Sequence, residues 1–283
     1  MWVWIVVLVI IAGLLLWWIS NRWLCVSRRD LSLDWLPPAW DNVRILHLSD
    51  LHSSRYGKHN EKLAARIREL HPDFILAPGD LCDRFAKRGD AFLDLLEQLK
   101  GEFPIYVSIG NHELRVEQNA PENYRIFRES LSQKGVTVLD NTSVVLERQG
   151  QCLRLYGINQ PLSIYYQHGT LQRVEDYLGE RDPAYPALLL AHDPRWLERY
   201  AHWGASLVLA GHIHGGMLRL PLIGGVYSPD KTFFPQYDAG VFTKDGCTMV
   251  VSRGAGDSRP FRIGSLPEMV LLTLHTKRGD VDV

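Results

Sequence analysis

Five short apolar runs in this chain each end in a cluster of Asp, Asn or His, and no other feature restricts the fold as much. Val43 to Leu48 runs into Ser49-Asp50-Leu51-His52, Phe74 to Ala77 into Pro78-Gly79-Asp80-Leu81-Cys82-Asp83, and Ile105 to Ile109 into Gly110-Asn111-His112-Glu113. Leu188 to Ala191 is followed by His192-Asp193, and Leu207 to Ala210 by Gly211-His212-Ile213-His214-Gly215-Gly216. Runs of this length read as buried strands. Amphipathic stretches separate them: Glu61 to Leu70 with Leu63, Ile67 and Leu70 on one face, Ala91 to Leu99, about Tyr124 to Gln133, and Arg195 to Ala201. Val144 to Leu146, Leu153 to Tyr156, Met249 to Ser252 and Met269 to Leu274 read as further strands. Such alternation predicts an α/β layered fold. In such folds ligands gather beyond the carboxyl ends of the strands. The five ends therefore deliver their polar residues to one edge.

Those residue types suit a pair of divalent cations. Two metals about 3.5–4 Å apart can clamp the attacking and leaving oxygens of a phosphoryl transfer. They need a bridging carboxylate together with oxygen and imidazole ligands, a set that suits Mn, Fe or Zn. Asp80 is the natural bridge. Asp50 and His52 are two positions apart after a strand and can share a metal, as can His212 and His214. Asn111 and His192 complete the set. The Asp-x-His, Gly-Asp and Gly-Asn-His motifs alone are ordinary turn signals, because such residues are common at strand exits. Gly211-His212-x-His214-Gly215-Gly216 is more specific and reads as either a polar loop or a metal-binding segment. The ordered set of five marks a metal or catalytic site.

The 283 residues allow one sizeable core, and a formal net charge of −1 supplies no field that would attract nucleic acid. Cys25, Cys82, Cys152 and Cys247 are scattered and form neither a disulfide framework nor a zinc knuckle. Cys82 reads as a small buried apolar residue.

The N-terminus differs in kind. Trp2 to Ile19 carries no charge and is near the length that spans a hydrocarbon core. Trp2, Trp4, Trp17, Trp18 and Trp23 lie at its two ends, where indoles favour the membrane interface. Neither a basic start nor a small-residue cleavage site is present, so an uncleaved single-pass anchor is expected over 1–22. Arg22, Arg28 and Arg29 follow the span, which places the folded domain on the cytoplasmic side of the cell membrane. Residues 23–42, ending soon after Pro37-Pro38, read as a connector, and 43–283 as the folded domain.

The order Asp50-x-His52, Gly79-Asp80-x-x-Asp83, Gly110-Asn111-His112-Glu113, His192 and Gly211-His212-x-His214 resembles the calcineurin-like metallophosphoesterases. The resemblance runs from about Val43 to Leu274. It implies a four-layer α/β/β/α sandwich with a two-metal site on one edge. Asp50, His52, Asp80 and His214 would hold one ion, and Asp80, Asn111, His192 and His212 the other. It further implies His112 as proton donor or leaving-group stabiliser, oriented by Asp83. Ser252-Arg253-Gly254 and Pro267-Glu268 are similar to a bacterial membrane-associated phosphodiesterase branch that includes UDP-diacylglucosamine pyrophosphatases. Gly-Asp-x-x-Asp-Arg also resembles the protein phosphatases, but Ser53, Phe85 and the lack of an arginine before Gly110 depart from their pattern.

Arg84 and Arg253 are candidate phosphate contacts, since guanidinium matches phosphate oxygens. The expected activity is hydrolysis of a phosphodiester or pyrophosphate bond, with a lipid-linked substrate suggested by the anchor. A phosphomonoesterase and a non-catalytic metal scaffold are the alternatives. Pro221 to Tyr237 reads as a packed structural insert, or else as an apolar loop beside the site. Nothing in the residues names the substrate or the oligomeric state.

Overall fold

The apolar runs pair into two six-stranded sheets in a computed structural model that describes residues 1–166 and 169–277. The first sheet contains β1 (Cys25–Leu33), β2 (Arg44–His47), β3 (Phe74–Ala77), β4 (Ile105–Val107), β5 (Thr137–Val138) and, from the far end of the chain, β14 (Glu268–Thr276). Its spatial order is β1-β14-β2-β3-β4-β5. The second contains β6 (Thr142–Arg148), β7 (Gln151–Ile158), β8 (Ala187–Ala191), β9 (Leu207–Ala210), β12 (Gly240–Lys244) and β13 (Cys247–Val251), in the order β12-β13-β9-β8-β7-β6. A separate ribbon pairs β10 (Leu218–Leu220) with β11 (Gly224–Tyr227). Residues 278–283, assigned to the domain by sequence, lie outside the described residues.

Three apolar layers stack these sheets with the helices. Between them, Ile45, Leu76 and Leu272 of the first sheet meet Leu155, Leu190, Leu209 and Val250 of the second. On one outer face, α2 (Glu61–Leu70), α3 (Asp90–Leu99) and α5 (Pro121–Gln133) bury Leu63, Ile67, Phe92, Leu95, Phe127 and Leu131 against Leu46, Ile75 and Val107. On the other, α6 (Leu197–Trp203) packs Leu197 and Tyr200 on Leu189, Val208 and Met249. The result is the four-layer α/β/β/α sandwich. β2, β3 and β4 are parallel, as are β7, β8 and β9, so their carboxyl ends carry the motif loops.

Two stretches differ from the sequence reading. Residues 23–42 are not a connector: β1 occupies much of the stretch and pairs in parallel with β14 from Cys25 to Leu33. Arg28, Arg29 and Asp30 are exposed, as an edge strand tolerates, while Leu31 and Leu33 enter the inter-sheet core. The helix expected over about Tyr124 to Gln133 is α5, but it is preceded by a helix that periodicity did not show, α4 (Asn111–Asn119), which begins at the polar motif itself.

Helix α1 (Trp2–Arg22) stands off the domain, with a mean hydropathy of 2.7 over its most apolar window and only Ser20 buried. By length and composition it can cross a membrane. Its last turn is tied down: Ser20 Oγ accepts the Gly264 N–H at 2.9 Å, and Asn21 exchanges bonds of 2.9 and 3.1 Å with the backbone of Arg262.

His47, on β2, is fully buried with no partner on either ring nitrogen. Burial lowers its pKa from 6.5 to about 4, against the pull of the Glu268 carboxylate. The unfolded ring takes up a proton below about pH 6.5 and the folded ring does not. Stability should therefore fall as pH drops from 6.5 towards 4, by at most roughly 3 kcal/mol from this residue. Urea unfolding in detergent at stepped pH should show His47→Met with a shallower slope than wild type. Parallel slopes would rule His47 out as the cause.

Candidate active site

The loops after the strands turn sharply, and most of the predicted ligands sit on the turns. Asp50, His52, Asp80, His212 and His214 all have left-handed backbone, with φ of 52°, 49°, 56°, 69° and 56°. Non-glycine residues seldom adopt it, and the strain is on the order of 1–3 kcal/mol each. The turns also approach one another closely. A Cβ on Gly110 would fall on Asp80 Oδ1, and one on Gly211 would fall on Asp50 Oδ2. Glu113 locks two loops together: its carboxylate accepts N–H bonds from Asp80 (2.8 Å), Leu81 (2.7 Å), Cys82 (2.6 Å) and Gly110 (2.9 Å).

This packing leaves two carboxylate oxygens at the centre of a ring of imidazoles. Asp50 Oδ2 is occupied by Ser49 Oγ at 2.5 Å, and Asp80 Oδ1 by the His112 backbone N–H at 2.8 Å. The other oxygens face inward. Asp80 Oδ2 is 3.1 Å from His192 Nε2 and 3.9 Å from His52 Nε2. Asp50 Oδ1 is 3.5 Å from His214 Nε2, 3.7 Å from His192 Nε2 and 3.9 Å from His52 Nε2. Three overlapping groups could each hold an ion: Asp50 with His52 and His214, His52 with Asp80 and His112, and Asp80 with His192 and His212.

The electrostatics fit cations. His52 Nε2, both ring nitrogens of His192 and Asn111 Oδ1 are buried without a hydrogen-bond partner. An orphaned buried acceptor is costly unless something satisfies it, and a pair of divalent ions would take up His52 Nε2, Asn111 Oδ1 and one nitrogen of His192. Burial disfavours charge on His192, yet Asp80 and Asp50 outweigh it and push the ring up to about 10. Burial likewise opposes ionisation of Asp80, but His192 and His112 hold it well below the usual carboxylate range. The pocket is thus built around positive charge.

Outer partners aim several of these rings, as is usual for metal-binding histidines. His212 Nε2 meets Asp230 Oδ1 at 2.9 Å, leaving Nδ1 as the nitrogen free for a metal. His214 Nδ1 lies 2.7 Å from Arg262 Nη2 and 3.2 Å from Asp257 Oδ1. Burial, with Arg262 next, pushes the His214 ring well down.

Not every predicted residue takes its predicted place. Asp83 makes no hydrogen bond or ion pair with His112; its carboxylate accepts the Phe85 N–H at 2.8 Å instead. His112 Nδ1 faces the Arg84 N–H and Ser258 Oγ, both at 3.3 Å. Arg253 is turned away and pairs with Glu268 at 2.6 Å. Arg84 does reach the site, donating to Tyr166 Oη at 2.9 Å, and that hydroxyl also accepts from Asn111 Nδ2 at 2.5 Å. The Pro221 to Tyr237 stretch is not simply packed: Asp230 serves His212, while Phe233 and Phe234 are exposed. Sequence reasoning missed Glu113, Tyr166, Asp230, Asp257, Ser258 and Arg262. Of these only Glu113 carried a signal, its place in the motif.

Above the imidazoles lies a cleft of about 300 Å³, lined by His52, His112 and His214, by Arg84 and Arg259, and by Phe85, Met217, Pro229 and Phe261. A model of the calcineurin-like phosphoesterase family matches residues 43–216, well over half of the chain. The chain belongs to the calcineurin-like phosphoesterase family. Phosphodiesterase YaeI of Escherichia coli (strain K12) is 32% identical over 244 residues, 82% of this chain and 82% of its own length. The uncharacterized metallophosphoesterase YkuE of Bacillus subtilis (strain 168) is 26% identical over 248 residues, 85% of this chain and 82% of its own. A Bos taurus transmembrane protein with metallophosphoesterase domain is 30% identical over 263 residues, 88% of this chain but 57% of its own. This chain is accordingly a metal-dependent phosphoric ester hydrolase acting on a phosphoester, and its clustered Asp and His groups suit a dimetal centre.

Proposed function

We propose that this calcineurin-like enzyme hydrolyses a phosphodiester or pyrophosphate bond in a lipid-linked substrate, from a domain anchored on the cytoplasmic side of the membrane. The observation that carries the bond type is the cleft. Arg84 and Arg259 offer charge for a phosphate, while Phe85, Met217, Pro229 and Phe261 offer an apolar wall. A monoester needs only the charges; a second ester substituent needs the wall.

Asp50, His52, Asp80 and His214 would hold one ion, and Asp80, Asn111, His192 and His212 the other. Bound there, the pair would supply Lewis acidity and activate water as the nucleophile at neutral pH. The remaining work falls to the chain. Nδ1 of His112 accepts from the Arg84 N–H, so the neutral ring carries its proton on Nε2. That N–H stabilises the leaving oxygen, and Ser258 and the Arg84 backbone aim the ring in the role first assigned to Asp83. The Arg84 guanidinium, braced by Tyr166, contacts a phosphate oxygen.

The test uses the full chain in detergent, loaded with Mn or Zn. Bis(p-nitrophenyl) phosphate should be cleaved in preference to p-nitrophenyl phosphate. Asn111→Ala and His212→Ala should each lower kcat on the order of a hundredfold or more, as expected when one ligand of a charge-stabilising centre is lost. Full activity in both variants would refute the ligand assignment, and a tenfold preference for the monoester would favour a phosphomonoesterase.

A further inference from the structure

We infer that an apolar ledge beside the cleft mouth sits in the membrane interface, so that the cleft takes phosphoesters whose apolar chains stay in the bilayer. The inference deepens the proposed function and rests on α1 spanning the membrane.

The depth of the ledge follows from its bonds to α1. Trp17 Nε1 donates to Pro260 O at 3.0 Å, Asn21 is bonded to the Arg262 backbone, and Ser20 to Gly264. From Trp17 to Asn21 a helix rises only about 6 Å. Pro260 to Gly264 therefore lies level with the end of the span, where Trp17, Trp18 and Arg22 mark the interface.

The outward side chains at that level are apolar. Phe261 is 64% exposed and Ile263 44%. Ile263 also extends the β10–β11 ribbon, donating to Met217 O at 2.8 Å and accepting the Arg219 N–H at 2.9 Å. The ribbon's tip carries Leu222, fully exposed, and Ile223. On its far side Phe234 N–H bonds Val226 O at 2.9 Å, adding the exposed Phe233 and Phe234. One hydrogen-bonded strip thus runs from the end of α1 through six exposed apolar side chains. Contiguous apolar surface of this kind marks an interaction site, and its continuity with the span selects the bilayer as occupant.

The charges fit an anionic head-group layer. Arg22, Arg55 and Arg259 line a cavity of about 310 Å³ between the end of α1 and the domain. Phe261 and Arg259 also line the catalytic cleft, so ledge and cleft mouth share one wall.

The experiment places a single environment-sensitive NBD probe at Leu222→Cys, Phe261→Cys or, as a span control, Leu8→Cys. Cys25 and Cys152, the partly exposed native thiols, are changed to Ser. The full chain is reconstituted in phosphatidylcholine–phosphatidylglycerol vesicles containing brominated-chain lipid. Blue-shifted, quenched emission at all three positions is expected. Quenching at position 8 without quenching at 222 and 261 overturns the ledge. Absence at position 8 as well overturns the anchor reading beneath it.

Activity separates these failures from that of the proposed function. Leu222→Glu with Ile223→Glu, remote from the cleft lining, should lower cleavage of vesicle-borne phosphatidyl-p-nitrophenol roughly tenfold, the loss of interfacial apolar contact. The same variant should cleave bis(p-nitrophenyl) phosphate as wild type does. Equal rates on both substrates, or equal losses, overturn the ledge. Failure of the wild type to cleave either diester overturns the proposed function, whatever the probes report.

Discussion

Replacing Asp80 with Asn should abolish turnover while leaving the fold intact. Asp80 is the carboxylate shared by two of the candidate ion groups, with His52 and His112 on one side and His192 and His212 on the other. Asparagine keeps the shape and can keep the Oδ1 bond to the His112 N–H. It also tolerates the left-handed backbone that this position requires. It cannot keep the charge: an amide in place of Oδ2 faces His192 Nε2, 3.1 Å away, and whatever cations the ring of imidazoles gathers. The expected loss in kcat is on the order of a thousandfold, about 4 kcal/mol of stabilisation. Metal content by mass spectrometry should fall with it. Far-ultraviolet circular dichroism should not change. Activity within about tenfold of wild type at saturating metal would remove Asp80 from the bridging role.

Arg262→Leu should cost stability and metal affinity together. The arginine is fully buried, yet every part of its guanidinium is engaged. Nη1 donates to Arg253 O at 2.6 Å and Gly254 O at 3.3 Å, Nη2 donates to Gly256 O at 2.5 Å and meets His214 Nδ1, and Nε pairs with Asp257. Leucine fills part of the volume but leaves Asp257 and the Arg253 and Gly256 carbonyls without the guanidinium, whereas Gly254 O keeps the Glu268 N–H at 3.0 Å. Breaking a buried pair in this way costs about 3–5 kcal/mol. Thermal unfolding should drop by roughly 10 °C for a domain of this size. Metal should bind more weakly, because His214 loses a neighbour that holds its ring. A variant with unchanged Tm and unchanged metal titration would show that the network is incidental.

The same residue explains why part of the site could not be read from sequence. Asp50, His52, Asp80, Asn111, His192, His212 and His214 each follow an apolar run directly, so local pattern and residue type sufficed to single them out. Arg262, Asp257 and Ser258 lie in a stretch with no period and no motif. They arrive beside His214 and His112 only because β14 returns to the middle of the first sheet and α1 pins Arg262 through Asn21. Asp83 and Arg253 show the converse error. Both stand in suggestive motifs, but one carboxylate is taken by a local N–H and the other side chain by Glu268. Neighbourhood in sequence does not determine where a rotatable side chain points.

Strand β1 was misread for a related reason. An edge strand is buried on part of one face, so its arginines and aspartate masked the two leucines that commit it to the core. By itself the sequence determined the layered α/β class, the apolar N-terminal helix and the seven residues gathered at the strand ends. These follow from periodicity and residue type, which act over a few positions. Only the tertiary structure decided the left-handed turns, the Glu113 lock, the Arg262 network and the docking of α1 beside the cleft. Those depend on contacts between segments up to about 240 residues apart, and such contacts exist only once both sheets have closed.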